Sequence, residues 1–226
     1  MARSRPIRLV DFGDSALAIA CKRPQSWALA ARLRRRLPGL EETVVGADTL
    51  VVRFEPTRIP RELLVATIED LAEALNGAPD HAELVALDWP GAQTSAGPLS
   101  ELVVEVVYDG EDLAQVAASS GLAVEEVIRA HSAATYRVAH FGFLPGFAYL
   151  EGLDPRLKMP RLAKPRPRVP AGSVAIAGLQ TCIYPTSCPG GWRLLGRTEM
   201  VLFDASKSPP SPLRLGMRVR FQPRSS

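Results

Sequence analysis

The sequence predicts an α+β protein of two domains: a small antiparallel α+β domain over residues 1–90, a linker at 91–98, and a β-barrel or sandwich carrying two helices over 99–226. Three observations carry this. The first 75 residues alternate period-2 and period-3.6 hydrophobic patterns in the order ββαββα. The run from Pro90 to Pro98, PGAQTSAGP, is small, polar and uncharged, as a linker is. Beyond it, many short β-branched segments are separated by Gly and Pro, the pattern of barrels and sandwiches.

Ile7–Val10 and Ala16–Ala20 are read as a hairpin around Asp11-Phe12-Gly13-Asp14, where Gly and Asp make φ > 0 cheap. From Gln25 to Leu37, Trp27, Ala30, Leu33 and Leu37 recur at helical spacing, with Ser26 as the expected cap and Pro38-Gly39 as the stop. Arg32, Arg34, Arg35 and Arg36 are assigned to the solvent side of this helix. Thr43–Val45 and Leu50–Phe54 make a second hairpin across Gly46-Ala47-Asp48. Pro60–Leu75 is a helix with Leu64, Ile68, Leu71 and Leu75 in one stripe, ended by Asn76-Gly77, and Glu83–Leu87 is a further strand or extended arm.

Glu101–Tyr108 alternates and opens the second domain. Asp112–Ala134 holds two short helices meeting at Gly121, a spacing shared with DNA-binding helix-turn-helix units. Two acids, Glu125 and Glu126, stand where phosphates would lie, and the second helix runs into a strand, Tyr136–Phe143, so the DNA reading is set aside. Ser173–Ala177, Trp192–Gly196, Met200–Phe203 and Met217–Phe221 are expected strands, with turns at Pro209-Pro210 and Leu215-Gly216. Phe143, Phe147 and Tyr149 are expected as core under a shaped loop, and Trp192 as packing.

With 46% apolar and 23% charged residues, a net charge of +3 and a pI near 8.9, the composition is that of a globular protein and demands no nucleic acid. No apolar run reaches the roughly 18–20 residues that span a bilayer, and the N-terminus lacks a signal peptide's apolar stretch, so the expected compartment is the cytoplasm. Cys21, Cys182 and Cys188 have neither disulfide parity nor zinc-ligand spacing with His81, His131 or His140, and no metal is expected.

The most informative stretch is Phe141–Gly196, whose 56 residues hold eight of the 17 glycines and eight of the 20 prolines. Its backbone is pinned by fixed-φ prolines and by glycines free to take φ > 0. From Pro155 to Thr198 there are eight basic residues and no acid, while the rest of the chain nets −5. A shaped, one-signed segment points to a site for a carboxylate, a phosphate or an acidic surface; the other reading is a solvated basic rim.

Tyr136-Arg137-Val138, GFLPGFAYL (Gly142–Leu150), LDPRL, VPAGSVAIAG, QT, IYP, PGGW, GRT and LFD, in this order, closely resemble the family of allophanate hydrolase subunit 1, also called the KipI family or that of the 5-oxoprolinase B component. The likeness runs from Gly13-Asp14 to Gly216–Phe221. It implies an N-terminal α+β domain and a C-terminal barrel of cyclophilin-like fold. It also implies work with an allophanate hydrolase subunit 2-like partner (the 5-oxoprolinase C component) and a LamB/YcsF-like one (the A component), opening 5-oxo-L-proline to L-glutamate at the expense of ATP. Related branches imply two alternatives, an inhibitor that binds a sensor histidine kinase and a carboxyltransferase of allophanate or urea amidolyase type. Cys182 stands where the family usually has Gly, and Cys188 where Ser is common.

The chemistry so implied develops negative charge on phosphoryl and carbonyl oxygens, which Arg side chains stabilise. The candidate anion ligands are therefore Arg161, Arg166, Arg168 and Arg197, with Lys164 as a point charge. Gln180 and Tyr184 are candidate orienting groups, and His140 a candidate proton carrier or, equally in keeping with its alternating strand, a packing histidine. No G-x-x-x-x-G-K-[ST] loop occurs, so ATP is expected mainly at a partner or a shared interface.

Overall fold

The computed structural model describes residues 8–21, 25–46, 48–75 and 101–224. The chain divides into two compact units, 1–93 and 94–226. The expected linker, the arm at Glu83–Leu87 and the stop at Asn76-Gly77 lie outside the described residues.

The first unit is a four-stranded antiparallel sheet in the order β1-β2-β4-β3, from β1 (Arg8–Asp11), β2 (Ala16–Ala20), β3 (Glu42–Val45) and β4 (Thr49–Arg53). Alternation decides the buried face: Leu17, Ile19, Val45, Leu50 and Val52 are buried, whereas Val10, Ala18, Val51 and Val44 align as one row across the other face. Helix α1 (Gln25–Arg36) packs on β3 and β4, and α2 (Arg61–Glu73) packs on α1.

Three local expectations are corrected here. Ser26 is no cap: it lies inside α1, buried, its hydroxyl without a hydrogen-bond partner among the described residues. Arg34 does not simply face solvent, since its Nε donates to Thr43 Oγ1 at 2.7 Å. In α2 the buried stripe is Leu64, Ile68 and Ala72 at four-residue spacing, with Leu71 only half-buried and Leu75 buried just beyond the helix end.

The second unit is a barrel. Its seven strands are β5 (Glu101–Val106), β6 (Tyr136–Phe141), β7 (Ala148–Glu151), β9 (Ser173–Ala177), β10 (Gln180–Ile183), β12 (Arg193–Arg197) and β13 (Arg218–Pro223), ordered β12-β9-β10-β7-β6-β13-β5. Neighbours are antiparallel except β5 and β13, which run parallel. The two edge strands meet where Val107 and Arg197 exchange backbone hydrogen bonds of 2.9 and 2.8 Å, closing the sheet on itself. Glycine makes the seam possible, because a Cβ at Gly196 would run into the Val107 carbonyl and one at Gly110 into the Leu194–Gly196 backbone.

Inward residues of every strand form one core, among them Val104, Val106, Tyr136, Val138, Leu150, Val174, Ile176, Ile183, Leu195, Val219 and Phe221. Helices α3 (Leu113–Ser120) and α4 (Val124–Ala133) join it through Leu113, Val116, Val127 and Ala130. Gly121 turns the chain between them at φ +67°, the left-handed cap glycine adopts cheaply. The helix set aside as a DNA reader is thus part of the barrel's core. A two-stranded ribbon of β8 (Arg166–Val169) and β11 (Cys188–Gly190) stands apart from the barrel sheet. Met200–Phe203, expected as a strand, is irregular: its alternation reflects Leu202 packing inward rather than a ladder.

Candidate functional site on the outer face of the barrel

The polar centre of the barrel explains why its histidine is not the site. His131 is fully buried, and burial drives its pKa down to about 3. Thr181 donates its one hydroxyl proton to the Ala175 carbonyl at 3.0 Å, so it accepts from His131 Nε2–H at 3.0 Å. Nδ1 then accepts from the Tyr108 hydroxyl at 2.7 Å. Both ring nitrogens are used, and Tyr136 donates to the His131 carbonyl at 2.8 Å.

On the other side of the wall, the alternate side chains of β7, β9, β10 and β12 meet the ribbon in a second cluster of Phe147, Val169, Ala175, Ala177, Cys182, Tyr184, Trp192 and Leu194. Phe147 is its hub, edge-on to Tyr184 at 5.4 Å and to Trp192 at 6.2 Å. The open rim carries the chemistry. A register shift between Val138 and His140 sets His140 opposite Tyr149, and the two rings stack at 4.1 Å, only 7° from parallel. Arg161 lies with its guanidinium carbon 5.8 Å from the Trp192 ring centroid. Phe143, expected in the core, is instead 61% exposed, held at φ +71° by the turn that links β6 to β7 and edge-on to Phe147 at 5.4 Å.

The eight candidate residues separate. His140, Arg161 and Tyr184 come together at this cluster, and Gln180 lies one pleat from Cys182 on the same face of β10, opposite Glu151. Tyr184 packs in this cluster at 2% exposure, edge-on to Phe147. Arg166 is engaged by the chain's own carboxylates. Its Nη2 donates to Asp112 Oδ1 at 2.8 Å and its Nε to Glu111 Oε2 at 3.2 Å, while Asp112 also accepts from the Leu194 N–H at 2.7 Å. This pins the ribbon to the barrel seam, and the sequence missed it because Asp112 lies 54 residues upstream. Arg168 donates to Ser187 at 3.0 Å, and Lys164 is exposed on the segment leading to the ribbon.

Arg197 lies elsewhere, paired with Asp109 at 2.8 Å and lining a cleft of about 870 Å³ with Glu105, Glu199 and Arg224. That cleft carries both signs in mutual ion pairs, Arg224 with Glu105 at 3.6 Å and with Glu199 at 3.5 Å, so the rim is the better candidate for anion chemistry. Cys182 is buried in the outer cluster, where burial pushes its thiol well up and keeps it protonated; its strand backbone needs no positive φ, so a Cys in place of the family's Gly fits. Among the described residues no group of three His, Cys, Asp or Glu side chains could hold a metal ion, and no helix is long and apolar enough to cross a membrane.

Residues 7–213 match the family model for the carboxyltransferase domain, subdomain C and D. The chain belongs to this family. Within it, a protein of Escherichia coli O157:H7 named as the B subunit of 5-oxoprolinase is 37% identical over 223 residues, covering 94% of both chains. Among solved structures, TTHA0988 aligns with a TM-score of 0.70 and 34% identity over 98% of this chain, which spans 40% of that one. The Kluyveromyces lactis urea amidolyase aligns with a TM-score of 0.69 at 17% identity, over 97% of this chain and 15% of that one, a likeness of fold. The cyclophilin-like barrel and small α+β domain expected of the family are therefore the architecture seen. The word subunit in the relatives' names also places those family members in complexes.

Proposed function

We propose that this chain is the B component of an ATP-dependent 5-oxoprolinase, which opens 5-oxo-L-proline to L-glutamate together with an allophanate hydrolase subunit 2-like chain (the C component) and a LamB/YcsF-like chain (the A component) in the cytoplasm. The observation that carries the reading is the 37% identity over nearly the full length of both chains to a protein of that name. ATP binds mainly at a partner or a shared interface, in keeping with the lack of a phosphate loop in the sequence. In this reading Arg161 binds the anionic group of the substrate, His140 carries a proton and Gln180 orients the amide.

Mixing the purified chain with both partners is expected to give ATP-dependent glutamate release that none gives alone. No release from the three together overturns the reading, and full activity from the isolated chain overturns the shared site. Carboxyl transfer is the second reading, favoured by the description of the family model. Turnover of a urea-type substrate in place of 5-oxoproline by the same mixture selects it.

A further inference from the structure

We infer that the rim of Arg161, Trp192, Tyr149, His140 and Phe143 is the subsite for a small flat ring bearing a carboxylate, with Arg161 holding the carboxylate and the aromatic side chains packing on the ring. This rests on the 5-oxoprolinase reading for the identity of the ring, but its geometry stands apart from it.

Three observations converge. First, five of the eight cations of the basic segment have side-chain partners: Arg156 on Asp154, Arg166 on Glu111 and Asp112, Arg197 on Asp109, Arg193 on Gln115 and Arg168 on Ser187. Arg161 has no carboxylate partner among the described residues. The contact with Trp192, 5.8 Å from guanidinium carbon to ring centroid, is a cation–π one that consumes none of the N–H donors a bidentate carboxylate needs. Second, Phe143 holds a left-handed φ of +71°, unfavourable for a bulky residue, and keeps its ring 61% exposed. The turn imposing this is closed by hydrogen bonds from Gly142 N to Phe147 O at 3.2 Å, Leu144 N to Gly142 O at 2.9 Å and Phe147 N to Leu144 O at 3.0 Å. Backbone strain that keeps an apolar ring in water is expected where a ligand supplies the missing contact. Third, these groups are linked ring to ring: Tyr149, stacked on His140, meets both Trp192 at 5.8 Å and Phe147 at 4.9 Å, and Phe147 in turn meets Phe143. The acid on this face, Glu151, is opposite Gln180, two residues along β7 from Tyr149.

The test uses the full isolated chain with two probes, 5-oxo-L-proline and its carboxamide, followed by NMR of the His140 ring and Trp192 indole. The acid is expected to shift both resonances and to bind roughly tenfold or more tightly than the carboxamide. Arg161→Ala is expected to erase that preference while leaving carboxamide binding within about twofold, and Phe143→Ala to weaken both probes. Equal affinity for acid and carboxamide, no shift at tens of millimolar, or acid binding untouched by Arg161→Ala overturns the inference. Two outcomes separate the inferences: unchanged KM for 5-oxoproline in an active Arg161→Ala complex sinks the subsite and spares the function. No 5-oxoproline turnover by the complex, with Arg161-dependent binding retained, does the reverse.

Discussion

One histidine lies inside the barrel on helix α4 and one on the outer face of strand β6, and the two differ in every respect that matters. His131, on the inside, lies tilted against Phe221 at 4.6 Å, has no exposure and has both nitrogens committed to Tyr108 and Thr181. His140, on the outside, lies flat on Tyr149 at a half-buried rim beside Arg161 and Trp192. The arginines repeat the contrast: Arg166 is used up by the chain's own carboxylates and Arg161 is not. Residue type marks neither pair apart. For the arginines, what separates scaffold from candidate site is whether the chain already supplies a carboxylate.

Breaking the scaffold side should cost most. Asp112→Ala removes the acceptor of both the Leu194 N–H and Arg166 at a carboxylate only 5% exposed, and is expected to destabilise the protein by about 3 kcal/mol in urea denaturation. Asp112→Asn, which keeps an acceptor, should lose markedly less. A loss from Asp112→Ala within about 0.5 kcal/mol would mean that the ribbon is not held by this clamp.

The buried histidine gives the next largest effect, in its pH dependence. Its folded pKa is depressed to about 3, so the folded state keeps it neutral while the unfolded chain takes up a proton below about pH 6.5. Its contribution is fully present above about pH 6.5 and falls as pH drops toward 3. Between pH 7 and 5 the wild type should lose about 2 kcal/mol from this group alone. His131→Gln removes that titration, so the gap between wild type and variant should narrow by this amount as pH falls. A constant gap would show that His131 can charge without cost.

Periodicity was enough for the first unit, because each of its hairpins and helices is local and its pattern belongs to one buried face. The barrel was harder for a physical reason. Strands β7 and β10 of the barrel and β8 and β11 of the ribbon have only three or four residues each, the last two containing proline, and pair with segments whose hydrophobic pattern is no guide to the partner. The Gly- and Pro-rich stretch was legible as shaped, and it does frame the rim. Which of its cations remain available was not legible, because Arg166 and Arg197 are answered by acids 54 and 88 residues away.

A smaller effect sharpens the site side. Phe143→Gly removes the cost of a side chain at φ +71° and is expected to raise stability by up to about 1 kcal/mol, less the lost contact with Phe147. Stability gained with affinity for 5-oxo-L-proline lost would mark a residue kept for binding. Lost stability with unchanged affinity would return Phe143 to the scaffold.

The smallest expected effect belongs to Arg197, whose side chain and backbone play opposite parts. Its N–H and carbonyl close the barrel against Val107, and any residue except proline supplies them. Its guanidinium forms a 2.8 Å pair with Asp109, but the two side chains are 65% and 42% exposed, so water and salt screen most of the attraction. Arg197→Ala should therefore change stability by no more than about 0.5 kcal/mol, with the difference fading as salt is added. In the reconstituted complex its kcat/KM should stay within about threefold of wild type, a ratio worth only about 0.7 kcal/mol, whereas Arg161→Ala should not. A large, salt-insensitive loss at Arg197 would instead move the anion chemistry from the rim to the cleft that Arg197 lines with Glu105, Glu199 and Arg224.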